Sequence, residues 1–186
     1  MSDIEAMFHQ VKVREVDSNY LRFLWWPDGD LRIEPQDYQM TVHLFGATSS
    51  PSCANFALKK TALDNSSDFN QETVQTVLNN FYVDDCLKSV PTTTDAIQLS
   101  TEIRELLAMG GFRLTKWLSN DQEVLKEIPE SERATSVKAL DFDNNLSERA
   151  LGVQWNIQPD TLGFNISIKD KPVTRRGILS IVSSVY

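Results

Sequence analysis

The sequence predicts an α+β fold, because strand-like and helix-like segments follow one another without strict alternation. The clearest helix is predicted for residues 92–109, where apolar residues recur at helical spacing and two glycines follow. The clearest strand is residues 20–26, which are rich in Tyr, Phe and Trp. With 186 residues, 41% of them hydrophobic, the chain can bury one core or form a large piece of a bigger domain.

The first third of the chain is predicted to be largely extended. A short helical turn is expected at residues 3–10, strands at 11–16 and 20–26, and an extended segment at 31–45. Pro27-Asp28-Gly29-Asp30 predicts a turn, because proline presets one backbone dihedral angle and glycine supplies another. Pro51 suits the first turn of a helix, which residues 53–63 continue. The apolar positions expected on that helix are Phe56, Leu58 and Leu63.

The remaining elements are predicted from the same signals. Residues 74–90 are predicted to form an extended run that is broken only by Asp84-Asp85. Thr92 with Asp95 approximates a capping box at the start of the helix 92–109. Two further strands are expected at residues 150–157 and 162–168, and a helix is expected within residues 174–186.

Hydropathy, cysteine content and net charge limit the classes of function that are possible. No apolar run approaches the roughly 20 residues of a membrane span, and no signal peptide is visible. Cys53 and Cys86 lie far apart without metal-ligand spacing, which predicts reduced thiols in an intracellular, cytoplasmic setting, with a disulfide as the alternative. The net charge of −8 argues against nucleic-acid binding, since phosphate contacts need Lys and Arg. That objection weakens if the acidic residues bind metal ions and basic tracks lie on other parts of a larger protein.

The residue types of Tyr82-Val83-Asp84-Asp85 are poorly explained by the requirements of folding alone. Two strand-like arms meet at two residues, which predicts a tight hairpin with at least one residue at positive φ. Asp-Asp supplies no glycine there and places two like charges at the tip. A broken local rule of this kind often marks a functional site. The alternative is a solvated acidic turn, and a third carboxylate would favour function over that alternative.

Five short blocks, in this order, resemble the reverse transcriptases of BEL/Pao-type LTR retrotransposons. The blocks are Asp3-Ile4-Glu5-Ala6-Met7-Phe8-His9-Gln10, Phe45-Gly46-Ala47-Thr48-Ser49-Ser50-Pro51, Tyr82-Val83-Asp84-Asp85, Gly111-Phe112-Arg113-Leu114-Thr115-Lys116-Trp117 and Leu151-Gly152-Val153-Gln154-Trp155. The resemblance implies a polymerase palm, an antiparallel sheet backed by helices, with a small strand-rich C-terminal extension. Residues 1–118 would be the palm, and residues 119–186 the primer grip and the extension towards a thumb.

The resemblance also implies RNA-directed DNA polymerase chemistry. Asp3, Asp84 and Asp85 would be the catalytic carboxylates and would bind Mg²⁺ or Mn²⁺. Polymerases use two metal ions about 4 Å apart to stabilise the attacking and leaving oxygens, and Mg²⁺ prefers hard oxygen ligands. Lys116 is a candidate general acid for the pyrophosphate leaving group, and a solvated surface lysine is the alternative.

Nucleotide and primer contacts follow from the same blocks. The residues expected at the incoming nucleotide are Phe8, Phe45 and Gly46; those expected at the primer are Tyr82, Leu151 and Gly152. Phe8 stands where the family has an aromatic ring that excludes a ribose 2′-hydroxyl. Gly46 would let the backbone approach the nucleotide closely. Phe45 stands where many reverse transcriptases have glutamine, which leaves its nucleotide contact open.

The expected partners are an RNA or DNA template with its primer, deoxynucleoside triphosphates and the rest of a polyprotein, with no membrane. The resemblance implies fingers and most of a first palm strand before Asp3, and a thumb and RNase H beyond these residues, so we expect a truncated palm. The alternative is a non-catalytic remnant of a degenerate element, at most a binding module. A serine hydrolase built on His43 and Ser50 has little support, because the pattern around Ser50 is not a nucleophile elbow.

Overall fold

The computed structural model describes residues 1–137, 147–150, 153–164 and 172–183. The chain divides into two compact units, Met1–Leu140 and Asp141–Tyr186. Both units mix helices with antiparallel strands, which confirms the predicted α+β class. The predicted division into a palm (1–118) and a primer grip with its extension (119–186) is a division by function. The two compact units do not test it.

The first unit contains six strands and five α-helices within its described residues. In chain order they are β1 (Ser2–Ile4), α1 (Glu15–Ser18), β2 (Arg22–Trp25), β3 (Gln36–Gln39), α2 (Ser50–Asp64), α3 (Gln71–Asn79), β4 (Phe81–Tyr82), β5 (Asp85–Cys86), α4 (Thr93–Met109), β6 (Leu114–Thr115) and α5 (Gln122–Lys126). Short 3₁₀ turns occur at Met7–Gln10, Pro27–Gly29, Glu130–Glu132 and Thr135–Val137.

A four-stranded sheet with the order β4-β5-β1-β6 is the centre of this unit. The pairings of β1 with β5 and β6, and of β4 with β5, are antiparallel. The strand β1 therefore lies between β5 and β6, where both of its edges are paired. Residues 3–10 were expected to form only a helical turn; instead the first residues form this central strand and the helical turn begins at Met7.

Helices α2, α3 and α4 pack against one another beside the sheet. Thr92 caps α4 as predicted, since its side chain accepts a hydrogen bond from the Asp95 amide, 3.1 Å away. Ile103, Leu106 and Leu107 of α4 are buried, and Gly111 follows the helix at positive φ. The buried face of α2 is Ala54, Leu58 and Ala62, whereas the expected apolar positions Phe56 and Leu63 are exposed.

The prediction of an extended segment over residues 74–90 is wrong in its first part, which is helix α3. The β-branched residues that favoured a strand recur three and four positions apart, so they form one buried helical face. That face consists of Thr73, Val74, Thr76 and Val77. Glu102 of α4 accepts hydrogen bonds from the Asn70 amide (3.4 Å) and from the Thr73 hydroxyl (2.6 Å), which stabilises the start of α3.

Strands β2 and β3 form a separate two-stranded sheet whose eight residues are all exposed. The strand predicted at 20–26 is confirmed as β2, and the turn after it is the 3₁₀ turn Pro27–Gly29. Residues 11–16 do not form a strand; Lys12 makes only an isolated bridge to Val42. Rings of this hairpin pack on one another, with Phe23 stacked on Tyr38 at 5.9 Å between centroids.

The second unit has a three-stranded antiparallel sheet and one helix among its described residues. They are β7 (Ser147–Ala150), β8 (Val153–Asn156), β9 (Thr161–Gly163) and α6 (Arg175–Val182). The indole of Trp155 donates to Asp160 at 2.9 Å and closes the β8–β9 turn. This meander agrees with the predicted strand-rich extension. No helix in the described ranges of the chain combines the length and apolar character needed to cross a membrane.

Candidate active site

The acidic motif forms a tight hairpin between β4 and β5, as predicted, but the two residues at its tip are not the expected Asp84-Asp85 pair, because Asp85 belongs to β5. Tyr82 pairs with Asp85 across the hairpin, so Val83 and Asp84 are the two turn residues. Val83 has φ of 56°, and this is the residue that supplies the positive φ. A β-branched residue in this region is strained by about 1–3 kcal/mol. The strain is therefore located at the tip that carries the carboxylates.

The sheet brings the third carboxylate to this hairpin. Asp3 in β1 lies directly opposite Asp85 in β5, and the Ile4 amide donates to the Asp84 carbonyl at 2.9 Å. Residues directly opposite in an antiparallel pair project from the same face. Asp3, Asp84 and Asp85 are thus neighbours in the fold, although two come from one motif and the third from near the first described residue.

Lys116 reaches the same face through a β-bulge. Asp3 pairs with Thr115, while Met1 and Leu118 exchange backbone hydrogen bonds of 2.9 Å in both directions. Two residues, Lys116 and Trp117, therefore oppose the single residue between those pairs, and Lys116 has φ of 51°. Bulges re-aim side chains beside active sites. Here the Lys116 ammonium lies 3.0 Å from Asp3 Oδ2.

The four charges affect one another. Burial, followed by the charges of Asp84 and Asp3, raises the pKa of the Asp85 carboxyl, and the nearby Lys116 partly opposes this. The hydrogen bond to Asp3 raises the pKa of Lys116, with smaller contributions from the charges of Asp3, Asp84 and Asp85. The result is a cluster in which the carboxylates repel one another and a protonated lysine offsets part of that repulsion.

The donor chemistry of this cluster suits a hard divalent cation, since three carboxylates are oxygen ligands of the kind Mg²⁺ and Mn²⁺ take. The side-chain arrangement is less suited. Within the described part of the chain, no group of three or more His, Cys, Asp and Glu side chains is gathered closely enough to hold a metal ion. The Lys116 ammonium is the cation that Asp3 binds in this conformation.

The two phenylalanines expected at the nucleotide lie together. The rings of Phe8 and Phe45 are 5.9 Å apart between centroids and tilted by 45°. Phe45 is 86% exposed. Gly46 follows with φ of 88°, a conformation that L side chains rarely adopt, and an added Cβ would meet no atom within 4 Å. Glycine is therefore favoured at this position because it adopts the positive φ without strain, and the space beside it is open.

The residues expected at the primer have different outcomes. Tyr82 is 70% exposed at the end of β4, next to the acidic turn. Leu151 and Gly152 lie outside the described residues, so their predicted role has no structural account. Trp25 in β2 is exposed and contacts Trp26 edge-on at 6.0 Å.

Sequence reasoning did not foresee the ion pairs around the cluster. Arg113 of the fourth block contacts Glu5 at 3.1 Å, and the Glu5 amide donates to the Arg113 carbonyl at 2.9 Å. These contacts hold the chain after β1 against the start of β6. The only signal was the alternation of Arg113, Leu114, Thr115 and Lys116, which suggests a strand but not its partner.

The hydrolase alternative gains little from the structure. Ser50 Oγ and His43 Nδ1 are 3.4 Å apart, so the two side chains do meet. Ser50 is fully buried at the start of α2, away from any entering substrate. Cys53 and Cys86 are both free thiols, as predicted.

Comparisons with known proteins add no family to this description: no protein-family model matches the sequence, and a search of curated proteins finds no match. What the structure establishes is an α+β chain with an antiparallel sheet that displays three aspartates and a lysine on one face.

Proposed function

We propose that this chain carries the nucleotidyl-transfer site of a reverse transcriptase of the BEL/Pao type, extending a DNA primer on an RNA or DNA template. The observation that supports the proposal most strongly is the pairing of Asp3 with Asp85 across β1 and β5. Two blocks that are far apart in the sequence, and that were paired only by their resemblance to reverse transcriptases, meet on one face of an antiparallel sheet. A solvated acidic turn gives no reason for that meeting.

In this proposal Asp3, Asp84 and Asp85 hold the catalytic cations, Mg²⁺ or Mn²⁺. The bound ions would stabilise the attacking and leaving oxygens of phosphoryl transfer. The carboxylates of this chain orient those ions and keep the face negative until cations arrive. Because Asp3 already binds the Lys116 ammonium at 3.0 Å, cation binding requires Lys116 to release it.

Lys116 then has a second task. A lysine side chain is protonated at neutral pH, so Lys116 carries a proton close to the site of charge development. A proton donor at this place stabilises a departing pyrophosphate oxygen. Release from Asp3 frees the ammonium to turn towards that group.

The Phe8–Phe45 pair supports the proposed preference for deoxynucleotides. Phe8 is only partly exposed and is braced by the exposed Phe45 ring. A braced ring resists displacement by a 2′-hydroxyl better than an isolated one. We expect Phe8→Val to admit ribonucleotides, whereas Phe56→Val, at an exposed ring on α2, leaves selectivity unchanged.

Primer extension tests the proposal directly. The purified chain is assayed on a primed RNA template with Mg²⁺ or Mn²⁺, beside the double variant Asp84→Asn/Asp85→Asn. The double variant Glu105→Gln/Glu127→Gln, which neutralises two exposed acids, serves as the matched charge control. We expect extension by the unmodified chain and by the control, and none by Asp84→Asn/Asp85→Asn. Equal extension by all three, or none by a folded unmodified chain, contradicts the proposal.

A non-catalytic remnant is the second candidate, and the Lys116–Asp3 ion pair favours it. If that pair is permanent, the carboxylates are held together by lysine and never by a metal. Lys116→Met separates the two candidates through Mn²⁺ binding followed by electron paramagnetic resonance. If the chain carries the polymerase site, the unmodified chain should bind Mn²⁺ and Lys116→Met should bind it more tightly. If the chain is a non-catalytic remnant, the unmodified chain should show no site-specific Mn²⁺ binding.

A further inference from the structure

A cavity of about 80 Å³ lies on the side of the sheet opposite to the carboxylates. Its sheet wall contains Ser2, Cys86 and Trp117. Each is the chain neighbour of a residue on the charged face, since Asp3 follows Ser2, Asp85 precedes Cys86 and Lys116 precedes Trp117. Successive side chains of a strand point to opposite faces. The cavity is therefore back to back with the acidic cluster.

Two polar side chains in this wall have no oxygen or nitrogen partner within the described part of the chain. They are the Ser2 hydroxyl, which has only the weakly accepting Cys86 sulfur beside it, and the Trp117 indole N–H. Ser2 is 1% exposed and Trp117 is 8% exposed. Buried polar groups are rarely left unpaired. An unpaired donor that faces a cavity therefore indicates that the cavity takes a polar guest.

The other polar side chains that line the cavity are already paired. Thr76 donates to the Glu72 carbonyl at 2.8 Å, Ser100 donates to the Ile97 carbonyl at 2.9 Å, and Ser119 accepts from the Asp121 amide at 3.1 Å. Lys88 lies 3.5 Å from Glu72, which offsets its charge. The Met1 ammonium also lines the cavity and donates to the Leu118 carbonyl at 2.9 Å. The hydrogen-bonding demand that remains thus comes from Ser2 and Trp117.

Cys86 excludes a reactive role for the cavity. Cys86 is 6% exposed, and a buried structural cysteine of this kind is chemically inert. Leu99, Ile103 and Leu125 supply apolar surface on the helical side. The cavity has the features of a binding site for a neutral molecule.

We propose that this cavity binds a small neutral carbonyl compound, such as a short amide or ketone. An indole N–H can only donate, so the guest must present an acceptor oxygen to Trp117, while the Ser2 hydroxyl can donate to the same oxygen. An apolar cavity of about 150 Å³ holds benzene, which has six heavy atoms, so about 80 Å³ suits a guest of about three or four heavy atoms. The proposal stands on the cavity alone and does not depend on polymerase activity.

Acetamide, with four heavy atoms, is the probe, and the indole resonances of ¹⁵N-labelled protein report its binding. The chain has four tryptophans, and Trp117→Phe identifies the resonance of Trp117. We expect a saturable shift of the Trp117 indole with a Kd of about 1 mM, in keeping with the size of the probe. Isobutane, of the same heavy-atom count but without an acceptor, should leave this resonance in place.

Two variants make the test specific. Ala96→Leu places a larger side chain in the cavity and should abolish the saturable shift. Ser2→Ala removes one unpaired hydroxyl without adding volume, so it should fold normally and weaken binding about fivefold. The proposal fails if all indole resonances shift in parallel without saturation, or if folded Ala96→Leu binds as well as the unmodified chain. It also fails if isobutane shifts the Trp117 indole equally.

Discussion

Replacing Asp85 by asparagine should stabilise the folded chain at neutral pH while abolishing any activity of the acidic cluster. Asp85 lies directly opposite Asp3 in the sheet and next to Asp84 at the tip of the hairpin. Asparagine keeps the shape and hydrogen-bonding capacity of the side chain but removes its charge. The substitution therefore removes like-charge repulsion with little change in packing.

The expected gain follows from the cross-strand geometry. Like charges directly opposite one another in a sheet destabilise it by about 0.2–1 kcal/mol. For a chain of this size, 1 kcal/mol corresponds to about 2–4 °C in melting temperature. Asp3→Asn should show no such gain, because it also removes the partner of Lys116.

The gain should depend on pH, and its sign follows from the raised pKa of Asp85. The folded state holds the Asp85 proton more tightly than the unfolded state does. Charged Asp85 therefore costs stability at pH values above its folded pKa, and that cost disappears as the pH falls below the ordinary pKa of aspartate. The advantage of Asp85→Asn should be full at neutral pH and absent in acid.

Urea unfolding followed by tryptophan fluorescence at neutral and acidic pH measures this difference. Glu105→Gln changes the net charge equally at an exposed site on α4, so it corrects for overall charge. A destabilised Asp85→Asn at neutral pH, or a gain that is the same at both pH values, would refute the repulsion that we infer.

Three further predictions concern the scaffold. Thr92→Ala should lower the unfolding free energy by about 1 kcal/mol, because it removes the cap of α4; urea unfolding measures the loss, and Thr92→Ser should retain most of the stability. Gly110→Ala should destabilise the chain by about 1–3 kcal/mol, because the new methyl group would overlap the Thr61 side chain of α2; adding Thr61→Ala should recover part of the loss in melting temperature, and no recovery would contradict the overlap. A thiol reagent in limiting amount should label Cys53 before Cys86, because burial raises the pKa of Cys86 to about 11; peptide mass mapping gives the order, which reverses if Cys86 is the accessible thiol.

Local sequence signals predicted much of the fold where the residue that matters acts on its own neighbours. Thr92 caps the helix that it begins, and Pro51 lies in the first turn of its helix. The same signals were misleading over residues 71–79. The valines and threonines there favour strands locally, yet they form a helix because one face of it is buried beside α2 and α4.

The candidate site divides in a similar way. The resemblance of the sequence to a reverse transcriptase named Asp3, Asp84, Asp85 and Lys116, and the structure places all four on one side of one sheet. Their direct interactions could not be predicted from spacing. The hydrogen bond from Lys116 to Asp3 depends on the bulge beside β6, which exists only when β1 is paired.

The sequence by itself therefore determined the α+β class, the capped helix α4 and the tight acidic hairpin, because each depends on contacts between residues close together in the chain. Only the tertiary structure decided that β1 lies between β5 and β6 and that Val83 carries the strain of the turn. It also decided that a cavity lies behind the carboxylates. These features depend on pairing between distant strands, and the register of such pairing is set by the packing of the whole unit.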